Sequence, residues 1–465
     1  MAKKVVVIGG GPGGYVAAIR AAQLGCEVSL IEKDKIGGTC LNRGCIPTKT
    51  LYRNAEILNT LKRADEFGIE IENFSINAEK IQQRKNKVVM QLVSGIEHLI
   101  KANKIELLRG EASIKDKNTV LVSLNDGSHT EITCDNIIIA TGSRPVTPPI
   151  PGALEEGIYK SEEILNFKDI PKELAIIGGG VIGMEFASIF SSMGTKVTVI
   201  EFLPSILASV DSDLVKRLMP SLKKKGMNIY TSAKVTKIEK EDGKFTVFAE
   251  GKKGEIEVQA DSVLIATGRA PIAENLNLDG IGIEYGRKGI KVDENYETNV
   301  KGIYAIGDAT GKTMLAHAAS HAGITAAEHI MGINNTAGNE IVPACIFVFP
   351  EIAYCGMTEE QAKEKGIDYK VSKFMFGANG KALALGEPEG LVKVIARVSD
   401  NVLIGVHIMG PHASDIIHEA VLAVSSKMKA EDITKCIHAH PTLSEAFYEA
   451  VSGISGKAIH AAPRN

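Results

Sequence analysis

The sequence has no surplus of charge of either sign: 53 Lys and Arg stand against 56 Asp and Glu, a net of −3 at neutral pH. That balance projects no one-signed field and argues against nucleic acid or an anionic membrane surface as a partner. No run of 18 apolar residues is present to span a bilayer. The opening MAKKVVVIGGG contains neither a signal-peptide apolar region nor an Arg- and Ser-rich transit segment, so the expected address is cytoplasmic. Pro-rich and low-complexity linkers are missing, which points to closely packed domains. At roughly 150 residues per domain, 465 residues make about three. Cysteine is scarce and odd in number, seven in all, too few for a disulfide scaffold. A reducing compartment also disfavours a lasting structural bridge.

What is present is a repeat. VVVIGGGPGGYVAAIRAAQLGCEVSLIE (5–32) aligns without a gap on LAIIGGGVIGMEFASIFSSMGTKVTVIE (174–201) at an offset of 169, with 10 of 28 positions identical. Each copy reads as a buried strand, a glycine turn, a small-residue helix and a second strand ending in an acid, the parts of a dinucleotide-binding βαβ unit. Gly9, Gly11 and Gly14 form one G-x-G-x-x-G and Gly178, Gly180 and Gly183 the other. One glycine makes the tight turn, one admits a pyrophosphate to the backbone, and one lets helix pack on strand; the pyrophosphate then meets amides at the helix N-terminus. Glu32 and Glu201 each fall where a carboxylate can accept from ribose hydroxyls. No Lys or Arg follows Glu201 before Lys216, so the second site reads as one for NAD rather than NADP. The first does not by itself distinguish NAD from FAD.

Apolar strands ending in Ala-Thr-Gly, IIIATGSRP (137–145) and VLIATGRAP (263–271), read as the closing strand of each dinucleotide domain. The last 120 residues differ: GLVKVIARVSDNVLIGVHIMG (390–410) predicts a hairpin and SDIIHEAVLAVSSKM (414–428) a helix, an α+β pattern with an antiparallel sheet.

Cys40 and Cys45, in GGTCLNRGCIPTK (37–49), admit three readings. As a staple the short loop contributes only ~2 kcal/mol. As a zinc clip it lacks a second ligand pair at suitable spacing. A redox dithiol fits best, since a following helical segment favours a thiolate and Gly37, Gly38 and Gly44 admit a flat partner closely. Pro47 is expected to distort that helix locally. In HAHPTLSE (438–445), Thr442 and Glu445 have capping-box spacing, and Glu445 is also placed to orient His440 as a base; the two roles are compatible. His438 lacks a third ligand nearby, and a structural role is preferred over a metal.

These motifs, with GIYAIGD (302–308) and MLAH (314–317), resemble the flavin disulfide reductases from end to end, most closely their NAD-linked, dihydrolipoamide-oxidising members. The resemblance implies an α/β fold with two Rossmann-like dinucleotide-binding domains, a central domain and a C-terminal α+β interface domain. The implied bounds are 1–145 (FAD and redox disulfide), 146–271 (NAD), 272–340 (completing the FAD site) and 341–465 (dimerisation). FAD is implied on the first fingerprint, with Glu32, Lys49 by the isoalloxazine, Ala112, Thr141, Gly142, Ser143, Asp308 and Ala316 along it. NAD is implied on the second, with Glu201, Val235 and Gly268. Lys49 pairs with Glu185 in this reading; the residues alone read as a surface charge and a solvated helix face. Cys40 and Cys45 become a redox disulfide, with His440 and Glu445 catalytic in a homodimer. The partner is a lipoyl-bearing carrier of a 2-oxo acid dehydrogenase or glycine cleavage complex. Where members carry charged residues after MLAH, this chain has AASHAG, with His321 and Ala322, which puts one polar contact beyond the flavin in doubt.

Three alternatives bound this reading. An NADP-linked, glutathione-type reductase needs the cations missing after Glu201, and a mercuric reductase needs a C-terminal cysteine pair, whereas the last cysteine is Cys436. A non-catalytic redox sensor has no use for the proton acceptor that His440 supplies.

Overall fold

Val5, Val6 and Val7 are at most 1% exposed, so consecutive side chains on both faces of one strand are buried. That is the signature of a parallel strand sandwiched between helices, where branched apolar residues fill both layers. The computed structural model describes residues 2–333 and 341–462; the end of the expected central domain, 334–340, lies outside the described residues.

The first unit is β1 (Lys4–Ile8), α1 (Pro12–Gln23) and β2 (Glu27–Glu32). Helices α2 (Gly38–Arg43) and α3 (Cys45–Leu61) carry the two cysteines, and α4 (Ala78–Ala102) packs beside them. Strands β3 (Glu106–Asp116), β4 (Thr119–Leu124) and β5 (His129–Thr133) form an antiparallel extension before β6 (Asn136–Ile139) returns beside β1.

Strand β7 (Ser143–Pro145) leads to the second unit, which contains β8 (Ile158–Lys160), β9 (Glu173–Ile177), α5 (Val181–Ser192), β10 (Lys196–Ile200), α6 (Ser212–Lys224) and β11 (Asn228–Tyr230). An antiparallel sheet of β12 (Lys234–Glu241), β13 (Lys244–Gly251) and β14 (Gly254–Ala260) precedes β15 (Ser262–Ile265). The parallel order is β11-β10-β9-β15-β8. Strand β16 (Arg269–Pro271) pairs antiparallel with β7, so the strands entering and leaving this unit form one ribbon.

After a hairpin, β17 (Tyr285–Gly286) and β18 (Gly289–Ile290), the chain returns to the first sheet. Strand β19 (Ile303–Ala305) adds to its edge, giving the order β19-β6-β1-β2-β3-β4-β5, and α7 (Ala316–Ile330) packs on α1. The packing is close because Gly13 and Gly323 face the partner helix: a Cβ on Gly323 would stand 2.5 Å from the Gly13 carbonyl oxygen. Ala322, where a charged residue was the family expectation, is 2% exposed among apolar residues of this seam, which an ion pair from Arg20 to Glu328 crosses.

The C-terminal part is an antiparallel sheet of β20 (Ala344–Ile346), β21 (Ile352–Gly356), β22 (Tyr369–Met375), β23 (Leu391–Arg397) and β24 (Leu403–Met409). The expected hairpin is β23–β24, and the expected helix is Ala413–Ser425. A buried ion cluster ties this sheet to the second unit. Lys393 on β23 is 1% exposed and places Nζ 2.8 Å from both oxygens of Asp211 and 2.8 Å from Asp213; Glu359 completes the shell. Burial alone would drive its proton off, but the surrounding carboxylates hold the ammonium above its ordinary pKa.

Candidate active site

The two glycine turns place their glycines in two kinds of environment. A Cβ on Gly14 would stand 1.8 Å from the Gly9 carbonyl oxygen, and one on Gly183 would stand 2.0 Å from that of Gly178. These glycines are demanded by the chain's own packing. The middle ones are not: Gly11 (φ −71°, ψ −177°) and Gly180 (φ −72°, ψ −175°) have extended backbone that any residue adopts. A Cβ on Gly11 would meet nothing closer than Gly38 Cα at 3.9 Å, and one on Gly180 would meet nothing within 4 Å. Protein packing gives no reason for glycine there, whereas a ligand running against the backbone at the helix N-terminus does. The residues present fit two dinucleotides.

The terminal acids are held alike. The Gly10 and Asp34 N–H groups donate to the two oxygens of Glu32 at 2.7 and 2.8 Å, and the Gly179 and Leu203 N–H groups donate to those of Glu201 at 2.5 and 2.6 Å. Each oxygen keeps a further lone pair for a hydroxyl.

Both turns open on one cavity of about 1390 Å³. It is lined by Gly9, Gly11, Glu32, Cys40, Cys45, Lys49, Ala112, Thr141, Gly142, Ser143, Asp308 and Ala316 on the first side, and by Gly178, Gly180, Glu185, Glu201, Val235 and Gly268 on the second. Gly14 and Gly183 lie behind the turns, in keeping with their packing role.

The cysteine segment is pressed onto the first turn. The Gly37 N–H donates to Gly10 O at 2.8 Å, and Gly38, at φ +54°, lies so close that a Cβ would stand 2.7 Å from Gly11 Cα. Cys45 opens α3, where unpartnered amides and the helix dipole favour a thiolate. The distortion expected at Pro47 is not seen: α3 runs unbroken from Cys45 to Leu61, because Pro47 stands in its first turn, where an N–H has no helical partner to lose, and the break from α2 falls at Gly44 (φ −146°, ψ −114°). Both cysteines are thiols. Their mutual interaction separates the two thiols in acidity, lowering the pKa of Cys45 and raising that of Cys40, with Lys49 favouring the anion of either.

One turn along α3, the Lys49 ammonium lies 2.8 and 3.0 Å from the carboxylate oxygens of Glu185 and 4.6 Å from the centre of the Phe347 ring. The Phe347 N–H donates to Glu185 at 3.1 Å. Glu185, with a side chain 5% exposed, is therefore where three parts of the chain meet beside the dithiol.

His440 and Glu445 are elsewhere. The His440 side chain is 78% exposed, takes no part in lining the cavity, and places Nδ1 2.9 Å from Glu445 Oε1. The other oxygen of Glu445 accepts from the Thr442 N–H at 2.8 Å. Burial opposes ionisation of Glu445, but these bonds outweigh it and lower the carboxyl pKa. The capping box is only half formed: the Thr442 hydroxyl donates to Ala439 O, and the helix begins at Glu445 itself (Glu445–Ser452). His438 packs against Tyr448 and places Nε2 2.8 Å from Glu419.

Sequence reading missed Arg43, Glu162 and Arg269, all on the cavity wall. The one sequence signal for Arg269 is its place after the second Ala-Thr-Gly, at the end of a repeat already visible.

Two nucleotide turns sharing one cavity with a polarised thiol pair form the architecture of a disulfide oxidoreductase. Residues 3–323 match the pyridine nucleotide-disulphide oxidoreductase family, and residues 342–451 match that family's dimerisation domain. Similar curated proteins include dihydrolipoyl dehydrogenase of Geobacillus stearothermophilus, 43% identical with 98% of this chain and 97% of that protein covered. The mitochondrial dihydrolipoyl dehydrogenase of Pisum sativum is 41% identical, with 98% and 92% covered. Among solved structures, LpdA from Mycobacterium tuberculosis superposes with a TM-score of 0.92 at 26% identity, covering 97% of this chain and 99% of that one. The HOCl-induced flavoprotein disulfide reductase RclA from Escherichia coli gives 0.86 at 29%, covering 97% and 99%. This chain belongs to the pyridine nucleotide-disulphide oxidoreductase family and carries its dimerisation domain. No helix among the described residues is long and apolar enough to cross a membrane.

Proposed function

We propose that this protein is a cytoplasmic, homodimeric dihydrolipoyl dehydrogenase that oxidises carrier-bound dihydrolipoamide with FAD on the first turn and NAD on the second. The observation that carries the reading is the Cys40 and Cys45 pair set with Lys49 between two glycine turns in one cavity. When bound, the flavin relays two electrons from the thiol pair to the nicotinamide. The first turn, Glu32, Ala112, Thr141-Gly142-Ser143, Asp308 and Ala316 would hold FAD, with Lys49 and Glu185 beside the dithiol that exchanges electrons with it. The second turn, Glu201, Val235 and Gly268 hold NAD.

The chain's own residues perform the sulfur chemistry. In the oxidised Cys40–Cys45 pair, a substrate thiolate attacks Cys40, forming a mixed disulfide and releasing Cys45 as a thiolate. The second substrate sulfur then attacks the substrate sulfur bound to Cys40, closing the lipoyl ring and expelling Cys40. His440 holds the proton removed from the substrate and returns one to Cys40, leaving a Cys40 thiol that donates to a Cys45 thiolate. This is the polarity of the pair as described above. His440 is exposed and apart from the cavity, within the segment matching the dimerisation domain, which supports its acting on the dithiol of the partner subunit.

The test mixes the purified protein with dihydrolipoamide and NAD, follows NADH, and runs NADP in parallel. Rapid NADH formation with little NADPH is expected. A flavin-loaded protein that oxidises no dihydrolipoamide overturns the substrate.

A further inference from the structure

Arg269 lies on β16, half of the ribbon joining the second unit to the first, with its side chain 13% exposed. It grips Ser143, on the other half of that ribbon, twice. Nε donates to Ser143 Oγ at 2.8 Å, and a terminal nitrogen donates to Ser143 O at 2.7 Å. A guanidinium has no acceptor, so the direction of the first bond is fixed. The one hydroxyl proton of Ser143 is thereby turned to Asp308, whose Oδ2 stands 2.5 Å from Oγ. Asp308 comes from a third stretch of chain, just after β19, and lines the cavity on the first side. Glu162, 3.7 Å from Arg269, is also 3.7 Å from Arg43, which stands between the two cysteines.

We propose that Arg269 is a positioning residue for the first cofactor site: from the second unit, it orders Ser143 and Asp308 so that the carboxylate presents a fixed acceptor to the polyol of the bound flavin. The inference rests on FAD occupying the first turn. Two parallel donors to one residue need the planar fork of arginine, which lysine does not reproduce. The nucleotide domain that does not hold the flavin therefore contributes to holding it.

The test measures FAD affinity of the apoprotein by flavin fluorescence for the parent, Arg269→Met, Arg269→Lys, Ser143→Ala and the Arg269→Met/Ser143→Ala double variant. Apoprotein melting is recorded alongside. Losing a charge-assisted pair of bonds should weaken FAD about tenfold to a hundredfold in Arg269→Met, with no recovery in Arg269→Lys and apoprotein melting unchanged. Because both residues act through one chain of bonds, the double variant should lose little more than the worse single one. FAD affinity within twofold of the parent in Arg269→Met, full recovery by lysine, or simple additivity overturns the role. If Arg269→Met does not fold, Ser143→Ala decides: unchanged affinity there overturns it equally. A parent apoprotein that takes up no flavin overturns the proposed function as well, whereas a parent that binds FAD with variants that bind equally well overturns Arg269 alone.

Discussion

The two nucleotide units share a backbone and differ in how each is held. Their middle glycines agree within 2° in φ and ψ, and their terminal acids take the same two backbone bonds. Yet α1 bears Gly13 where α5 bears Ile182, and Val16 where α5 bears Glu185. The first unit is anchored by a glycine-thin seam with α7, crossed by an ion pair from Arg20 to Glu328, whereas the second adds to its apolar packing on α3 and the C-terminal sheet two ionic anchors: Glu185 toward Lys49, and Asp211 with Asp213 around Lys393. A shared motif sets the turn, and the face of the following helix sets what each unit packs against.

The sharpest way to break this comparison is at the matched middle glycines. Gly11→Val should abolish flavin uptake. Gly180→Val should leave the protein yellow but raise KM for NAD about tenfold to a hundredfold through crowding of the ligand. Flavin absorbance and NADH assays separate the two, and equal effects on both nucleotides would erase the distinction between the sites. Next in size, His440→Gln lies outside both units and should lower dihydrolipoamide oxidation by roughly 10²–10⁴-fold, the usual weight of a general base. A loss under threefold in steady-state rate would remove it from the proton path.

The charged anchor can be tested by Lys393→Met, which leaves Asp211, 0% exposed, without its counter-ion. A loss of about 3–5 kcal/mol is expected in denaturant unfolding. Matching destabilisation by a conservative change elsewhere on β23 would show that packing rather than charge holds the unit. The smallest effect concerns the dithiol. Lys49 lowers and Glu185 raises the pKa of Cys45. Lys49→Met should therefore move the pH midpoint of Cys45 alkylation upward, by about one to three units, and Glu185→Gln should move it downward. Iodoacetamide rates across pH give both signs, and a shift in the same direction for both would contradict the arrangement.

Much of this was legible in sequence because the signals are local. The βαβ repeat, the β23–β24 hairpin and the cysteine segment each occupy one short window whose residue types state their geometry. The Lys393 cluster was not, because its bond to Asp211 spans 182 positions and neither residue has a local mark. Arg269 was hidden for the same reason: its grip on Ser143 crosses 126 positions, from a repeat that reads as two domain ends rather than one ribbon. In one chain His440 and the thiol pair stand apart, His440 exposed and outside the cavity lining, so no local signal in the sequence joins them. The half-formed capping box at Thr442 shows how spacing alone overstates a motif when the hydroxyl finds a nearer carbonyl.

The first sheet is completed only when β19 pairs with β6, 164 residues after β6 closes on β1 if counted from Ile139 to Ile303 (303 − 139). All five parallel strands of the second unit are synthesised within that interval. On the ribosome, where chains emerge N-terminus first and domains fold as units, the inserted domain has its whole sheet in hand before the outer one. The order of birth is thus the reverse of the order in sequence: the first domain starts first and finishes second, waiting on a strand and a helix that arrive from the far side of its guest.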